Sequence, residues 1–251
     1  MITIPKIELG DKVVQMSELT IGQALEVSGI PERMQEARLS KFLALALNDE
    51  LLAESLTVQE RYYLLMQYLS MQDGTPLAAD VNFPAYLLPR NRPWKSSVTG
   101  MICDWRQMTG HDAMLLELTC EGAADWVLAS IAMQAVRSDW PVMPGPDALP
   151  SDRNDAMQAR YRLVQDLPSS EFEALATEWR AACHAMARFI MTGFDNQGIT
   201  VLPSSGGADD APMRFRPSAA FGEVCRELER CLAEAGREAG EGLPDDDAGG
   251  D

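Results

Sequence analysis

Imidazole is scarce in this chain, and so is the lysine ammonium. The only histidines among 251 residues are His111 and His184, and the only lysines are Lys6, Lys12, Lys41 and Lys95. A site that needs two imidazoles would require those two distant histidines to meet. His184 stands beside Cys183 in a helical pattern, where neighbours point about 100° apart and cannot face one substrate atom together. The five cysteines, Cys103, Cys120, Cys183, Cys225 and Cys231, are odd in number and irregular in spacing. They fit buried thiols in a reducing compartment. Cys120-Glu121-Gly122-Ala123 is half a zinc knuckle without its second cysteine, so no structural metal is expected. Asp245-Asp246-Asp247 lacks the geometry of a calcium loop. Phosphate-binding glycine loops, a G-x-S-x-G elbow and an H-E-x-x-H helix are also missing. The most apolar runs, 42–47 and 126–133, fall far short of the roughly 20 residues that span a bilayer. No cofactor, metal, catalytic residue or membrane crossing is expected. The N-terminus reads directly as strand, so no secretion signal is expected either.

What is present is apolar and acidic. Hydrophobic residues make up 46% of the chain, enough for a real core, and the formal charge is −17. Such a surface repels phosphate, which argues against nucleic acid or anionic membrane as partners. It would attract a basic or weakly charged protein, or simply confer solubility.

The start signals and periodicity predict a mainly α chain with a small N-terminal β-hairpin, few short strands and a helical hairpin in the C-terminal half. Ile7 and Leu9, the turn pair Gly10-Asp11, and Val13-Val14 predict the hairpin. Thr20 with Gln23, and Thr57 with Glu60, are capping boxes that start two helices. After the second box, Val58, Tyr62, Leu65 and Leu69 stack on one face, and Asp73-Gly74-Thr75-Pro76 supplies the stop. Tyr63, Leu64, Met66 and Tyr68 flank that stripe. A helix so apolar is buried on two sides, or buried on one and offered to a partner on the other. Tyr62, Tyr63, Met66 and Leu69 are therefore candidate partner-binding residues. Between these helices, Pro31 opens another helix, with Glu32 and Glu36 near its positive end and Asn48-Asp49 at its close.

From Gly74 onward, Pro76, Pro84, Pro89 and Pro93 forbid a long helix and predict an ordered connector with one or two short strands. Arg90, Arg92 and Lys95 around Trp94 are the only dense basic spot. They form either local ion pairs or a docking point, which makes Arg90, Arg92 and Trp94 further candidates. Met114 to Cys120 alternates between glycines and leans to strand. A helix is expected over 123–136, with Trp126, Val127, Ile131 and Ala135 inward. The Pro-rich stretch 140–150 is the clearest linker, dividing an N-terminal region, 1–139, from a helical region, 151–235. In the latter, Ser151-Asp152 and Ser170 with Glu173 cap two helices. The second carries Phe172, Leu175, Trp179, Ala182, Cys183, Met186, Phe189 and Ile190 inward until Gly193. Residues 199–202 are expected to form a further strand, 203–212 a flexible loop, 218–236 an amphipathic helix and 236–251 a disordered acidic tail.

The order of hairpin, then Ser17-Glu18-Leu19-Thr20-Ile21-Gly22-Gln23-Ala24-Leu25-Glu26, then a helical run, then Leu56-Thr57-Val58-Gln59-Glu60-Arg61-Tyr62-Tyr63-Leu64-Leu65, resembles the tail assembly chaperones and baseplate-hub assembly proteins of tailed bacteriophages. The resemblance covers about 70 residues. It implies a non-catalytic role in the host cytoplasm, binding the tape-measure protein or another tail protein, or nucleating the hub. It leaves a second reading, a structural component of the tail or baseplate in the virion, and a third, a small regulator or enzyme. The chain departs from the smaller chaperones by its additional helical half. Where hub-type relatives carry a cysteine-rich knuckle, it has only Cys120. The 14 methionines suit either promiscuous binding of apolar helices or core filling.

Overall fold

Helix starts written into the sequence set much of the backbone. The computed structural model describes residues 4–71, 81–145, 148–204 and 211–221. Thr20 opens α1 (Ile21–Ser28) and Thr57 opens α4 (Val58–Ser70), each with both halves of its capping box formed. A third box joins Thr109 and Asp112 and opens α5 (Gly110–Thr119). Between α1 and α4 lie α2 (Gln35–Leu47) and α3 (Glu50–Ser55). Asn48 ends α2 in the left-handed region at φ 55°, which asparagine tolerates, and the Asp49 side chain caps α3. α6 (Ala123–Gln134), α7 (Pro150–Gln165) and α8 (Ser169–Met186) complete the α-helices among the described residues, with short 3-10 helices at Phe83–Tyr86 and Pro217–Phe221.

The strands are short and all antiparallel. β1 (Ile7–Leu9) and β2 (Lys12–Val14) form the N-terminal hairpin, turned at Gly10 with φ +57°. Trp94 packs over that turn, where a Cβ on residue 10 would come within 2.9 Å of its ring. β3 (Ser97–Thr99), β4 (Asp104–Arg106) and β5 (Ala135–Val136) form one small sheet, and β6 (Met191–Asp195) pairs with β7 (Gly198–Leu202). The fold is thus mainly α, with an N-terminal β-hairpin and few short strands.

Two apolar clusters hold these elements. The larger joins α1 to α5 with Trp126, Met157, Ile199, Val201 and Phe215, and so takes residues from both sides of 140–150. Phe42 at its centre meets the edge of the Tyr68 ring at 4.9 Å. The smaller gathers Trp105, Ile131, Trp140, Val164, Leu175 and Trp179. The consecutive helices α7 and α8, joined through Asp166, Leu167 and Pro168, both cover this second cluster. α7 lies chiefly along α6.

Six local expectations change. α2 begins at Gln35 and not at Pro31, and residues 135–136 leave the helix expected over 123–136 to form β5. Residues 114–119 are helix, not strand: the Thr109 box commits the segment, and Leu116 and Ala113 are the apolar side chains it buries. α8 begins at Ser169, not through a Ser170 box, and its Pro168 N-cap makes no side-chain bond. It ends at Met186, so Phe189 and Ile190 leave the helix and Gly193 sits within β6. α7 likewise starts without a side-chain cap at Leu149, using Pro150 at its first position. The stop at 73–76, most of the 203–212 loop, the last helix beyond 221 and the tail at 236–251 lie outside the described residues.

Candidate functional site

The end of α8, the β6–β7 hairpin, the start of α4 and one wall of α6 enclose a cleft of about 440 Å³. Its walls are mostly apolar: Val58, Met108, Val127, Met186, Ile190 and Leu202 all line it. Three glutamines also reach it, and each is tied to backbone. Gln59 donates to Gln107 Oε1 at 2.7 Å and to the Met186 carbonyl at 3.0 Å, while its own Oε1 accepts from the N–H groups of Arg188 at 2.7 Å and Phe189 at 3.3 Å. Gln107 donates to the Lys95 carbonyl at 2.5 Å. Gln134 donates to the Arg106 carbonyl at 3.0 Å and accepts from the Trp179 indole at 2.9 Å. Gln59, with Gln107 beside it, holds the turn where α8 passes into β6, the point at which helical hydrogen bonding ends, while Gln134 ties α6 to β4 and to the Trp179 side chain.

The remaining polar groups of the cleft are Cys183, His184, Arg180 and Thr192. Burial pushes the Cys183 thiol up to about 12, so it stays protonated at neutral pH and is a poor nucleophile. His184 is exposed, and its backbone carbonyl accepts from Arg92 at 2.9 Å. What the cleft presents is shape and apolar surface, suited to apolar side chains.

Elsewhere, carboxylates brace the backbone. Glu178 on α8 accepts from the N–H groups of Met101 at 2.8 Å, Ile102 at 3.0 Å and Cys103 at 3.2 Å, and from the Trp105 indole at 3.0 Å. Burial works to raise its carboxyl, but the indole and the three backbone donors hold it below the usual range. Glu36 is bonded by the Tyr62 hydroxyl at 2.6 Å and lies 3.3 Å from the fully buried Arg61 guanidinium. Burial, and then Glu36, raise the Tyr62 phenol well above its ordinary value. Gly110 lies against this arginine, where a Cβ would approach Arg61 Cζ to 2.8 Å. Asp112 pairs with Arg106 at 2.6 Å and with Arg153 at 3.4 Å. Its burial works against ionisation, yet Arg106 and the Thr109 bonds keep its carboxyl low.

The candidate partner-binding residues fall into two groups. Tyr62, Met66 and Leu69 are buried in the larger cluster, so both sides of α4 are covered and these three face the core. Tyr63 is half-buried and stacks on Phe189 with ring centroids 4.7 Å apart. Trp94 is half-buried between Gly10 and Phe189. Arg92 bonds the α8 terminus, its carbonyl accepts from Arg188 at 2.9 Å, and Arg90 is exposed. Tyr63, Trp94 and Arg92 thus gather around the chain leaving α8, with Gln59 beside them, while the cleft opens further along. No period marks Gln59, Gln107 and Gln134, which come from three separate segments.

No known protein family, curated protein or solved structure matches this chain.

Proposed function

We propose that the chain is a non-catalytic assembly protein of the tailed-phage type, which holds an apolar segment of another tail protein in the 440 Å³ cleft. The observation that carries this reading is the division of labour in the cleft. Its glutamines are bonded to backbone and to each other, its thiol is held protonated, and its apolar walls remain open. A surface of that kind recognises alternate or helical apolar side chains, not a reacting atom. The partner class comes from the resemblance of the N-terminal third: the tape measure or a hub protein.

The test is co-expression of the full chain with the proteins encoded beside it, followed by affinity capture and size-exclusion chromatography with light scattering. The expected result is a stable soluble complex with a long helical protein that is insoluble when expressed alone. If no neighbour is retained and the protein is instead found in purified particles, the assembly reading fails and a structural role replaces it.

A further inference from the structure

A second hollow, of about 750 Å³, has the opposite character. On its wall α2 starts without a side-chain cap of its own: Met34, at the N-cap position, makes no such bond. The orphan donors there are satisfied from a distance. Glu117, on α5, accepts from the Glu36 N–H at 2.7 Å through Oε1 and from the Ala37 N–H at 3.1 Å through Oε2. The Gln35 N–H adds a third backbone donor, so of the carboxylate's roughly four lone pairs one is left for a further donor.

Beside it on the wall stands Gln35, only 7% exposed. Its Nε2 donates to the Glu32 carbonyl, which fixes the amide orientation and makes Oε1 the other end. That oxygen is buried and has no hydrogen-bond partner among the described residues. A buried acceptor left without a donor is unfavourable, so an N–H donor entering the hollow is favoured there. Glu32 and Glu121 add negative charge around it. Arg216 is taken by Glu32 at 2.6 Å, and Arg33 lies exposed at the rim.

We infer that this hollow receives the guanidinium of an arginine side chain on the partner protein, gripped by the Glu117 carboxylate and the Gln35 carbonyl oxygen. Several N–H donors on one rigid plane can meet a carboxylate and a neighbouring carbonyl together, which a single-point ammonium does less well. Half-buried Met34 and exposed Leu118 border the hollow and can cover the alkyl stem. The formal charge of −17 draws a basic segment toward it. This inference rests on the protein-binding reading above and names the chemistry of one contact.

The contact is pH-dependent. Burial first, and then the nearby Glu36 charge, push the Glu117 carboxyl up to about 7, against the pull of the backbone N–H groups it bonds. The other charges around it are Glu32, Arg33, Glu121 and Arg216 in the hollow, with Arg61 beyond Glu36. A guanidinium favours the ionised carboxylate, so binding strengthens as pH rises through 7 and releases protons.

The test uses the full chain labelled with ¹⁵N, titrated with a nine-residue Gly/Ser peptide carrying one central arginine. Peptides with citrulline or lysine at that position are the controls. Saturable shifts of the Gln35 side-chain amide and of the Glu36 and Ala37 backbone N–H signals are expected with arginine. Binding should be at least several-fold weaker with either control, and about tenfold weaker at pH 6 than at pH 8. Gln35→Met should weaken arginine binding several-fold in a folded protein, and Glu117→Gln should abolish the pH dependence. Equal shifts from the citrulline or lysine peptide, or none from arginine, overturn the inference. If the arginine peptide binds but no tail protein is captured, the functional reading falls and this site stands. If a tail protein is captured equally well by Gln35→Met, the site falls and the functional reading stands.

Discussion

Four buried glutamines divide between the two hollows. Gln59, Gln107 and Gln134 at the apolar cleft are 9%, 7% and 6% exposed, and Gln35 at the acidic hollow is 7% exposed, so burial does not separate them. Partnership does. The three at the cleft bond on both ends of the amide, whereas the Gln35 oxygen is unmatched. A buried amide bonded at both ends is framework and leaves the neighbouring apolar walls to do the recognising. One with an open end is itself a point of recognition.

The comparison can be broken most forcefully at Gln59. Gln59→Leu strands the Arg188 and Phe189 N–H groups and the oxygen end of Gln107, and leaves the Met186 carbonyl only the long bond from Gln107 at 3.4 Å. The loss should be about 4 kcal/mol, read as a lower urea midpoint at unchanged slope. Gln134→Leu leaves the Arg106 carbonyl and the Trp179 indole without this partner and removes a weak contact to the Cys183 thiol, so about 2 kcal/mol is expected from the same measurement.

Glu117→Gln comes next, and its effect depends on pH. Because the folded carboxyl is raised to about 7 from an ordinary value of 4.5, the native state holds the proton more tightly than the unfolded chain. Stability therefore falls as pH rises from 4.5 to 7. With allowance for its partly solvated side, the fall is about 2 kcal/mol, and Glu117→Gln should flatten it in thermal melts across that window. Glu178 has the opposite sign: its lowered carboxyl contributes stability above the ordinary value, lost as pH falls below it. The smallest effect is expected from Gln35→Met, under about 1 kcal/mol despite equal burial, because it removes one bond and also one unmatched oxygen. A Gln35→Met loss as large as that of Gln59→Leu would erase the distinction.

The sequence carried the local half of this account. Thr20 with Gln23, Thr57 with Glu60 and the Gly10 turn act within three or four residues, and each forms where its pattern placed it. The 114–119 segment shows how a short-range signal misleads: alternation suggested strand, but the Thr109 box five residues earlier starts a helix that buries Ala113 and Leu116. On α4 the periodicity revealed an apolar helix without saying what covers each side, and it is the core that meets Tyr62, Met66 and Leu69. The hollows were not legible at all. Gln59 meets Gln107 and the chain at 186–189, and Glu117 meets Glu36 from 81 residues away. Such pairings carry no period, and a glutamine reads alike whether its amide is matched or open.

The most direct measurement is parallel capture of the co-expressed neighbouring proteins by the wild-type chain and by Leu202→Glu, which places a charge on a half-buried wall of the cleft, with folding of the variant checked by its thermal melt. The account predicts that a long helical partner elutes with the wild type and is lost, at least tenfold, with the folded variant. Undiminished capture by Leu202→Glu would contradict it, because the apolar cleft would then not be where the partner is held.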